Sequence, residues 1–241
     1  LVNMTQKKIK IIDLGLVDYN YGILYQKNIH NKTSDNANVI LLEHDKVITI
    51  GTKGDNNDVL VSIEKLKKEG FSVINSDRGG QVTIHNKGQL VCYIVMPISN
   101  YNLKPVDFVR KIESLIINLL KNFDISSYII KGKTGVWIKS DNIEKKIAAI
   151  GVRISNGISM HGFALNINNN VNDFKFIVPC GIQGSSVTSI QEELKKEYNV
   201  SMKKPKGKYI CIQYRWYKGD LCHSLKKSLT LGYKHKIRIE S

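Results

Sequence analysis

The chain has 241 residues, of which 42% are hydrophobic, enough to build a sizeable core without covalent staples. No apolar run approaches the 18 residues that a transmembrane helix needs. The four cysteines, Cys92, Cys180, Cys211 and Cys222, show neither a metal-binding spacing nor a disulfide framework, which indicates a reducing compartment.

The net charge is +15, from 36 Lys and Arg residues against 21 Asp and Glu residues. One interpretation is a Lys- and Asn-rich solvated surface, visible in runs such as 168–170 and 203–204. The other is a surface that attracts an acidic partner and raises its association rate. Nucleic acid fits the charge alone equally well.

Hydrophobic periodicity and turn residues predict a succession of strands and helices. Strands are predicted at 10–15, 38–43, 47–50, 71–75, 89–98, 127–130, 135–139, 147–154 and 159–168, and helices at 18–31, 62–70, 105–123 and 189–198. These elements mix without a βαβ rhythm, which predicts an α/β or α+β fold with a mixed sheet in a single domain over 1–241.

Two of the helices carry clear signals. Ser62 is a suitable N-cap and Gly70 a suitable stop for the second helix. Pro105 suits the first turn of the third helix. The apolar positions of that helix form a stripe expected to face the core. The stripe consists of Val106, Val109, Ile112, Leu115, Ile116, Leu119 and Leu120.

The stretch from Asp77 to Val91 organises the chain. After Gly79 and Gly80, the residues Gln81, Thr83 and His85 alternate with apolar residues, which is typical of a half-buried strand. The glycine pair permits a close backbone approach to a ligand or a neighbouring strand. A plain glycine turn that leads into a hairpin explains this stretch equally well when it is taken alone.

Two further stretches complete a recognisable set: 145–153, with the sequence KKIAAIGVR, and 161–182, which contains HGFALN and VPCGI. Together with 77–91 they resemble the octanoyltransferases of lipoate biosynthesis, from about residue 41 to about residue 188. The basic, aromatic tail over 203–241 stays unassigned. The resemblance implies the fold shared by biotin and lipoate protein ligases.

The resemblance also implies an activity and its partners. Such an enzyme moves an octanoyl group from acyl carrier protein to a lysine of a lipoyl domain. The acceptors would be lipoyl domains of 2-oxoacid dehydrogenase complexes or the glycine cleavage H protein. No cofactor, metal, nucleic acid or membrane partner is expected. The location would be the cytoplasm in a bacterium, or a plastid or mitochondrion otherwise; the sequence does not begin with Met, which leaves a removed leader open.

Cys180 lies in a Pro-Cys-Gly turn and Lys146 precedes Ile147 in the second motif. The residues alone leave Cys180 open between a buried structural thiol and a nucleophile. The resemblance makes Cys180 the nucleophile that carries the acyl group as a thioester, and Lys146 its partner. Lys145 is the alternative, but neighbours on a strand point to opposite faces. A free thiol is only about 3% ionised at pH 7, so a nearby ammonium would activate it.

Further residues are expected to line the acyl site by resemblance. Gly79 and Gly80 could supply backbone N–H donors to an oxyanion, with a side-chain contact from His85 or His161. His44 ranks third among the histidines. The expected lining consists of Arg78, Gly79, Gly80, Gln81, Val82, Thr83, Ile84, His85, Ala149, Ile150, Gly151, Gly162, Phe163 and Ala164.

The chain departs from the family pattern after His85. Where the family usually has Gly-Pro, this chain has Asn86 and Lys87, which changes the stiffness of the turn and adds a positive charge.

Three rival functions stay open. They are an ATP-using lipoate or octanoate protein ligase, an amidotransferase acting between lipoyl domains, and a basic nucleic-acid-binding protein.

Overall fold

The computed structural model describes residues 8–33, 35–140, 142–179, 186–197 and 238–240. Among these residues, no helix is both long and apolar enough to cross a membrane. Cys180, Cys211 and Cys222 lie outside the described residues, as does nearly all of the tail. Cys92 is buried in the core.

The predicted elements are present, with small shifts at their ends. The strands are β1 (Lys8–Val17), β2 (Ala37–His44), β3 (Val47–Ile50), β4 (Ser72–Asn75), β5 (Val82–His85), β6 (Gln89–Val95), β7 (Tyr128–Ile130), β8 (Lys133–Ser140), β9 (Ile143–Ser155), β10 (Ile158–Asn166), β11 (Ser186–Val187) and β12 (Arg238–Glu240). The helices are α1 (Tyr19–Lys32), α2 (Ile63–Lys68), α3 (Pro105–Lys121) and α4 (Ile190–Glu197), with 3-10 turns at Asn56–Asp58, Ile98–Tyr101 and Val171–Phe176.

Within the described residues, the strands form two sheets. The large mixed sheet has the order β12-β1-β2-β6-β10-β9-β8-β7, and β11 pairs in parallel with β9 where β10 has already ended. The pairs β12–β1 and β1–β2 are parallel, whereas the pairs from β2 to β7 are antiparallel. A small sheet has the order β4-β3-β5. The expected mixed sheet is confirmed.

The central strands of the large sheet are buried on both faces. Alternate residues of β2 and β6, such as Leu41 and Cys92, belong to a core that also contains α3. Their neighbours, such as Ile40 and Tyr93, belong to a second core beside α1. This double burial explains why both strands read as continuous apolar runs. A third core packs against the small sheet and contains residues such as Ile48 and Phe176.

The apolar stripe of α3 is core as predicted, except at its first position. Ile112, Leu115, Ile116, Leu119 and Leu120 are buried. Val106, expected in the stripe, is 68% exposed, and Phe108 takes the corresponding core position at 1% exposure. Phe108 lies four residues before Ile112 and so shares its helix face, whereas Val106 does not.

The turn between β5 and β6 shows how this chain accommodates its departure from the family pattern. The Gln89 N–H donates to the Asn86 carbonyl oxygen at 3.1 Å, and Gly88 has a φ of +90°. This geometry is that of a type II turn with Lys87 at the position that favours proline. The Asn86 side chain is buried and donates to Asp173 Oδ2 at 2.7 Å. Asn86 thereby fastens the turn to the segment that precedes Cys180.

Candidate active site

A cavity of about 550 Å³ opens between the large sheet and strand β5 of the small sheet. Its size is within the range of small-molecule sites. The walls combine the glycine-rich loop before β5 with the central parts of β9 and β10. The lining residues that the sequence predicted are Arg78, Gly79, Gly80, Gln81, Val82, Thr83, His85, Lys146, Ala149, Ile150, Gly151, His161, Gly162, Phe163 and Ala164.

Two residues of the predicted set are placed elsewhere. The Ile84 side chain is fully buried in the core of the small sheet, because the strand alternation turns it away from Thr83 and His85. His44 is buried behind the wall and does not line the cavity. Cys180 lies outside the described residues.

The glycines let the wall close tightly. Gly79 approaches β9 so closely that a Cβ atom on Gly79 would lie 2.7 Å from the Val152 carbonyl oxygen. A Cβ on Gly151 would lie 2.5 Å from the Gly79 carbonyl oxygen. The Gly79 N–H donates a hydrogen bond to the Val152 carbonyl oxygen at 3.2 Å. Gly80, with a φ of +91°, has no acceptor for its N–H among the described residues.

Arg78 stabilises this loop from inside the wall. Its guanidinium donates to Thr49 Oγ1 at 3.0 Å, to Thr49 O at 2.7 Å and to Gln81 O at 2.6 Å. The side chain is buried, and charge-assisted bonds to carbonyl oxygens are among the stronger hydrogen bonds. Arg78 therefore acts on the shape of the loop.

His161 and Asp77 fix the other end of the loop. Gln26 Oε1 accepts from the His161 N–H at 2.8 Å, which turns the Gln26 amide towards His161 Nδ1 at 3.4 Å. His161 Nε2 then carries the proton and donates to Asp77 Oδ1 at 2.7 Å. The hydrogen bonds from His161 and Arg153 hold the pKa of Asp77 well below its usual range, and burial lowers the pKa of His161. Both ring nitrogens of His161 are thus engaged by protein groups.

His44 is engaged in the same way. Its Nδ1 donates to Val17 O at 3.0 Å, because a carbonyl oxygen can only accept, and its Nε2 accepts from the Tyr93 hydroxyl at 2.7 Å. Burial lowers the pKa of His44 to about 4 and raises that of Tyr93 well above its usual value. The ring is neutral and positions Tyr93, which lines the cavity.

His85 offers a different group to the cavity. Gln89 donates its amide to Ile84 O at 3.1 Å and Asn166 Oδ1 at 2.9 Å, so Gln89 Oε1 faces His85 Nδ1 at 2.7 Å and accepts from it. Burial, with a smaller contribution from the charge of Arg78, lowers the pKa of His85 to about 3. The neutral ring keeps a lone pair at Nε2, so the oxyanion donor role expected of His85 does not follow from this geometry.

Lys146 projects from β9 into the cavity wall and is 7% exposed, whereas Lys145 does not line the cavity. Its Nζ donates to the Thr134 carbonyl oxygen at 3.0 Å and lies 4.6 Å from the centre of the Trp137 ring. The sequence did not single out Thr134 or Trp137. It also missed Tyr19, Tyr93 and Lys53, which line the cavity.

The segment that carries Cys180 is fastened at both described ends. On one side, the Val178 N–H donates to Asp58 O at 2.7 Å. On the other, Ser186 and Val187 pair with Lys145 and Lys146, and the Thr188 N–H donates to Lys146 O at 3.0 Å. The described chain before Cys180 is therefore anchored beside the 3-10 turn at Asn56–Asp58, and the described chain after it is anchored beside Lys146.

A family model for the lipoyl protein ligase A/B catalytic domain matches residues 18–208. The chain belongs to this family. It is 38% identical to an octanoyltransferase of Cytophaga hutchinsonii over 208 residues, which cover 79% of this chain and 85% of the relative. It is 37% identical to an octanoyltransferase of Acidobacterium capsulatum over 209 residues, which cover 81% of this chain and 85% of the relative.

A solved structure shares the fold at much lower sequence identity. The crystal structure of lipoate-protein ligase A bound with ATP superposes with a TM-score of 0.70 and 12% identity, over 98% of this chain and 88% of that chain. The expected ligase-type fold is confirmed. At this identity the likeness extends to the fold alone.

Proposed function

We propose that this chain is an octanoyltransferase of protein lipoylation, which moves an octanoyl group from acyl carrier protein to a lysine of a lipoyl domain. The observation that carries this proposal is the placement of Lys146 in the wall of a cavity built from the three motifs. The identity of 37–38% to octanoyltransferases over about four fifths of the chain supports it.

The reaction has two half-reactions with Cys180 as the nucleophile. In the first, the Cys180 thiolate attacks the carbonyl carbon of the carrier thioester, a new S–C bond forms, and the carrier leaves as a thiolate. In the second, the acceptor lysine amine attacks the Cys180 thioester, a C–N bond forms and the S–C bond breaks. The amine proton passes to Lys146, which accepts it at Nζ after losing its own to the departing carrier.

The cavity walls have distinct roles in this scheme. The Gly80 N–H is the backbone donor for the oxyanion, because the Gly79 N–H already donates a hydrogen bond to the Val152 carbonyl oxygen. Apolar residues on β9 and β10, including Ile150 and Phe163, face the acyl chain. At about 0.8 kcal/mol for each buried methylene, an octanoyl chain gains roughly 5 kcal/mol of binding free energy.

The partners follow from the same proposal. The carrier is acidic, and a chain with a net charge of +15 attracts it electrostatically. The acceptors are lipoyl domains of 2-oxoacid dehydrogenase complexes or the glycine cleavage H protein. The relatives named above are bacterial, which supports the bacterial location, and they lend no support to an organelle.

The nearest rival is an ATP-dependent ligase of the same fold. Such an enzyme would activate free octanoate, whereas a thioester donor is already activated. The structural likeness to a ligase does not decide between them, because it rests on 12% identity. The much higher identity to octanoyltransferases favours transfer from a thioester.

Intact-protein mass spectrometry tests the proposal. The wild-type chain mixed with octanoyl-acyl carrier protein should gain one hydroxylamine-labile octanoyl group without ATP. Cys180→Ala should form no adduct, and Lys146→Met should form it at least about a hundredfold more slowly. Each variant has a matched control: Cys92→Ala removes a buried cysteine of the core, and Lys145→Met removes the neighbouring lysine.

Other outcomes would contradict the proposal. An adduct that persists in Cys180→Ala would move the nucleophile elsewhere. An adduct that requires ATP and free octanoate would identify a ligase. Acylation from an octanoylated lipoyl domain, with none from the carrier, would identify an amidotransferase. Salt-sensitive oligonucleotide binding with no acylation would identify a basic nucleic-acid-binding protein.

A further inference from the structure

The Lys146 side chain lies in a cradle formed by the first half of β8. Trp137 is the direct cross-strand partner of Lys146 in the β8–β9 ladder. The Lys146 Nζ lies 4.6 Å from the centre of the Trp137 ring, within the distance at which a cation and an aromatic face attract each other. Thr134, at the start of the same strand, accepts one of the ammonium hydrogens through its carbonyl oxygen.

Gly135 completes the cradle by lacking a side chain. Its φ is +125°, and a Cβ atom there would lie 3.3 Å from Lys146 Cε and 2.6 Å from the Ala148 carbonyl oxygen. The ladder also shifts register between Val136 and Trp137, opposite Ala148 and Lys146. These features bring the lysine stem against β8 and direct its ammonium along the Trp137 face.

The Trp137 ring is itself held in place. It is 1% exposed, and its Nε1–H donates to the Lys133 carbonyl oxygen at 3.1 Å. Lys133 Nζ also lies 5.5 Å from the ring centre, but it forms an ion pair with Glu144 Oε2 at 3.4 Å. The orientation of the ring is thus fixed independently of Lys146.

We propose that Trp137 is a positioning residue for Lys146, and that its aromatic face, together with Thr134 O, holds the ammonium in the cavity wall where it serves both half-reactions. The inference rests on the proposed function of Lys146. A lysine stem has four rotatable bonds, and loss of the ring would remove one of the contacts that confine the ammonium. A misplacement of about 1 Å in a reacting group can slow a reaction about a hundredfold.

Single-turnover rates test the role of the ring face. Trp137→Leu removes the face and should slow both carrier-dependent acylation and transfer to a lipoyl domain by about ten- to a hundredfold. Trp137→Phe keeps a smaller face and should restore the rates to within about fivefold of wild type. The matched control is Phe108→Leu, which removes a buried aromatic ring from the α3 core at a position that does not line the cavity. It should lower the melting temperature without changing either rate.

A second readout does not depend on activity. Lys146 protons above the Trp137 face should show upfield ring-current shifts in an NMR spectrum of lysine-labelled protein, identified by their loss in Lys146→Met. The shift should persist in Trp137→Phe and vanish in Trp137→Leu. The proposal is overturned if a folded Trp137→Leu keeps wild-type rates, or if Trp137→Phe is as slow as Trp137→Leu. Should the wild-type chain form no octanoyl adduct, the proposed function would fail, and the NMR comparison would still decide whether Trp137 holds Lys146.

Discussion

A methyl group added at Gly151 should move the glycine-rich loop away from β9. The Cβ of Gly151→Ala would lie 2.5 Å from the Gly79 carbonyl oxygen, where ordinary contact begins at 3.4 Å. Alanine is otherwise well tolerated in a strand at this position, because Gly151 is absent from the positive-φ residues. The backbone of the loop cannot rotate aside as a side chain would, so the loop must retreat by about 0.9 Å.

The retreat has a cost in stability and a larger cost in rate. Overpacking of this kind costs about 1–3 kcal/mol, which lowers the melting temperature of a chain of this size by about 2–12 °C. In the proposed mechanism, the same shift moves the Gly80 N–H away from the developing oxyanion. A displacement near 1 Å in a reacting site costs about a hundredfold in rate.

The assay is the single-turnover rate of octanoyl adduct formation, measured beside thermal unfolding. Gly157→Ala is the matched control, because Gly157 has a φ of +76° and no atom within 4 Å of a Cβ there. It should lose stability through backbone strain and keep its acylation rate. A folded Gly151→Ala protein that acylates at the wild-type rate would refute the assigned role of the loop.

Three further predictions concern turn geometry and pH. Lys87→Pro should raise stability by about 0.4–1 kcal/mol in urea unfolding, because the type II turn completed by Gly88 already holds this position near the proline φ; a loss would contradict the turn assignment. Asp77→Asn should lower the melting temperature at pH 6. The difference from wild type should shrink as pH falls below about 4, because the ion-paired carboxylate, whose pKa His161 helps to depress, stabilises the fold only while it is charged; a constant difference would argue against an ionic role. The pKa of His85 is about 3 in the fold and 6.5 ordinarily, so below pH 6.5 the unfolded chain binds a proton that the folded chain lacks. Stability should therefore fall with decreasing pH, and His85→Gln should flatten the slope between pH 6 and pH 4 by up to about 1.4 kcal/mol per pH unit; an unchanged slope would show that His85 is protonated in the fold.

Local pattern was sufficient for most of the fold. The second helix begins at the Ser62 cap and Gly70 follows it with a φ of +83°, because both signals act within one helical turn. Strand β3 occupies the predicted residues, Val47–Ile50. The two-residue strand β11 was missed, since it exists only by pairing with β9 and carries no periodicity of its own. Val106 was misplaced because it lies off the helix face that Ile112 and Phe108 share.

The lining of the cavity could be predicted where its residues belong to a sequence motif. It could not be predicted where pairing between distant strands brings residues together. The glycine-rich loop and Lys146 were found from the chain itself and its resemblance. Trp137 was not, because its contact with Lys146 depends on a register shift between two strands that no local pattern reports. The roles of His44 and His161 were also hidden. Their ring nitrogens are engaged by Val17, Tyr93, Gln26 and Asp77, which lie far away in the sequence.

Strand β12 has a consequence for handling the protein. Among the described residues, Arg238–Glu240 near the C-terminal end pair in parallel with Lys8–Lys10 of β1. Removal of these residues would uncover the backbone N–H and C=O groups of an edge strand that includes the buried Ile9. Unpaired edges of this kind recruit strands from other molecules. A version shortened by these residues should therefore be more prone to aggregation, even though it retains every described residue that lines the cavity.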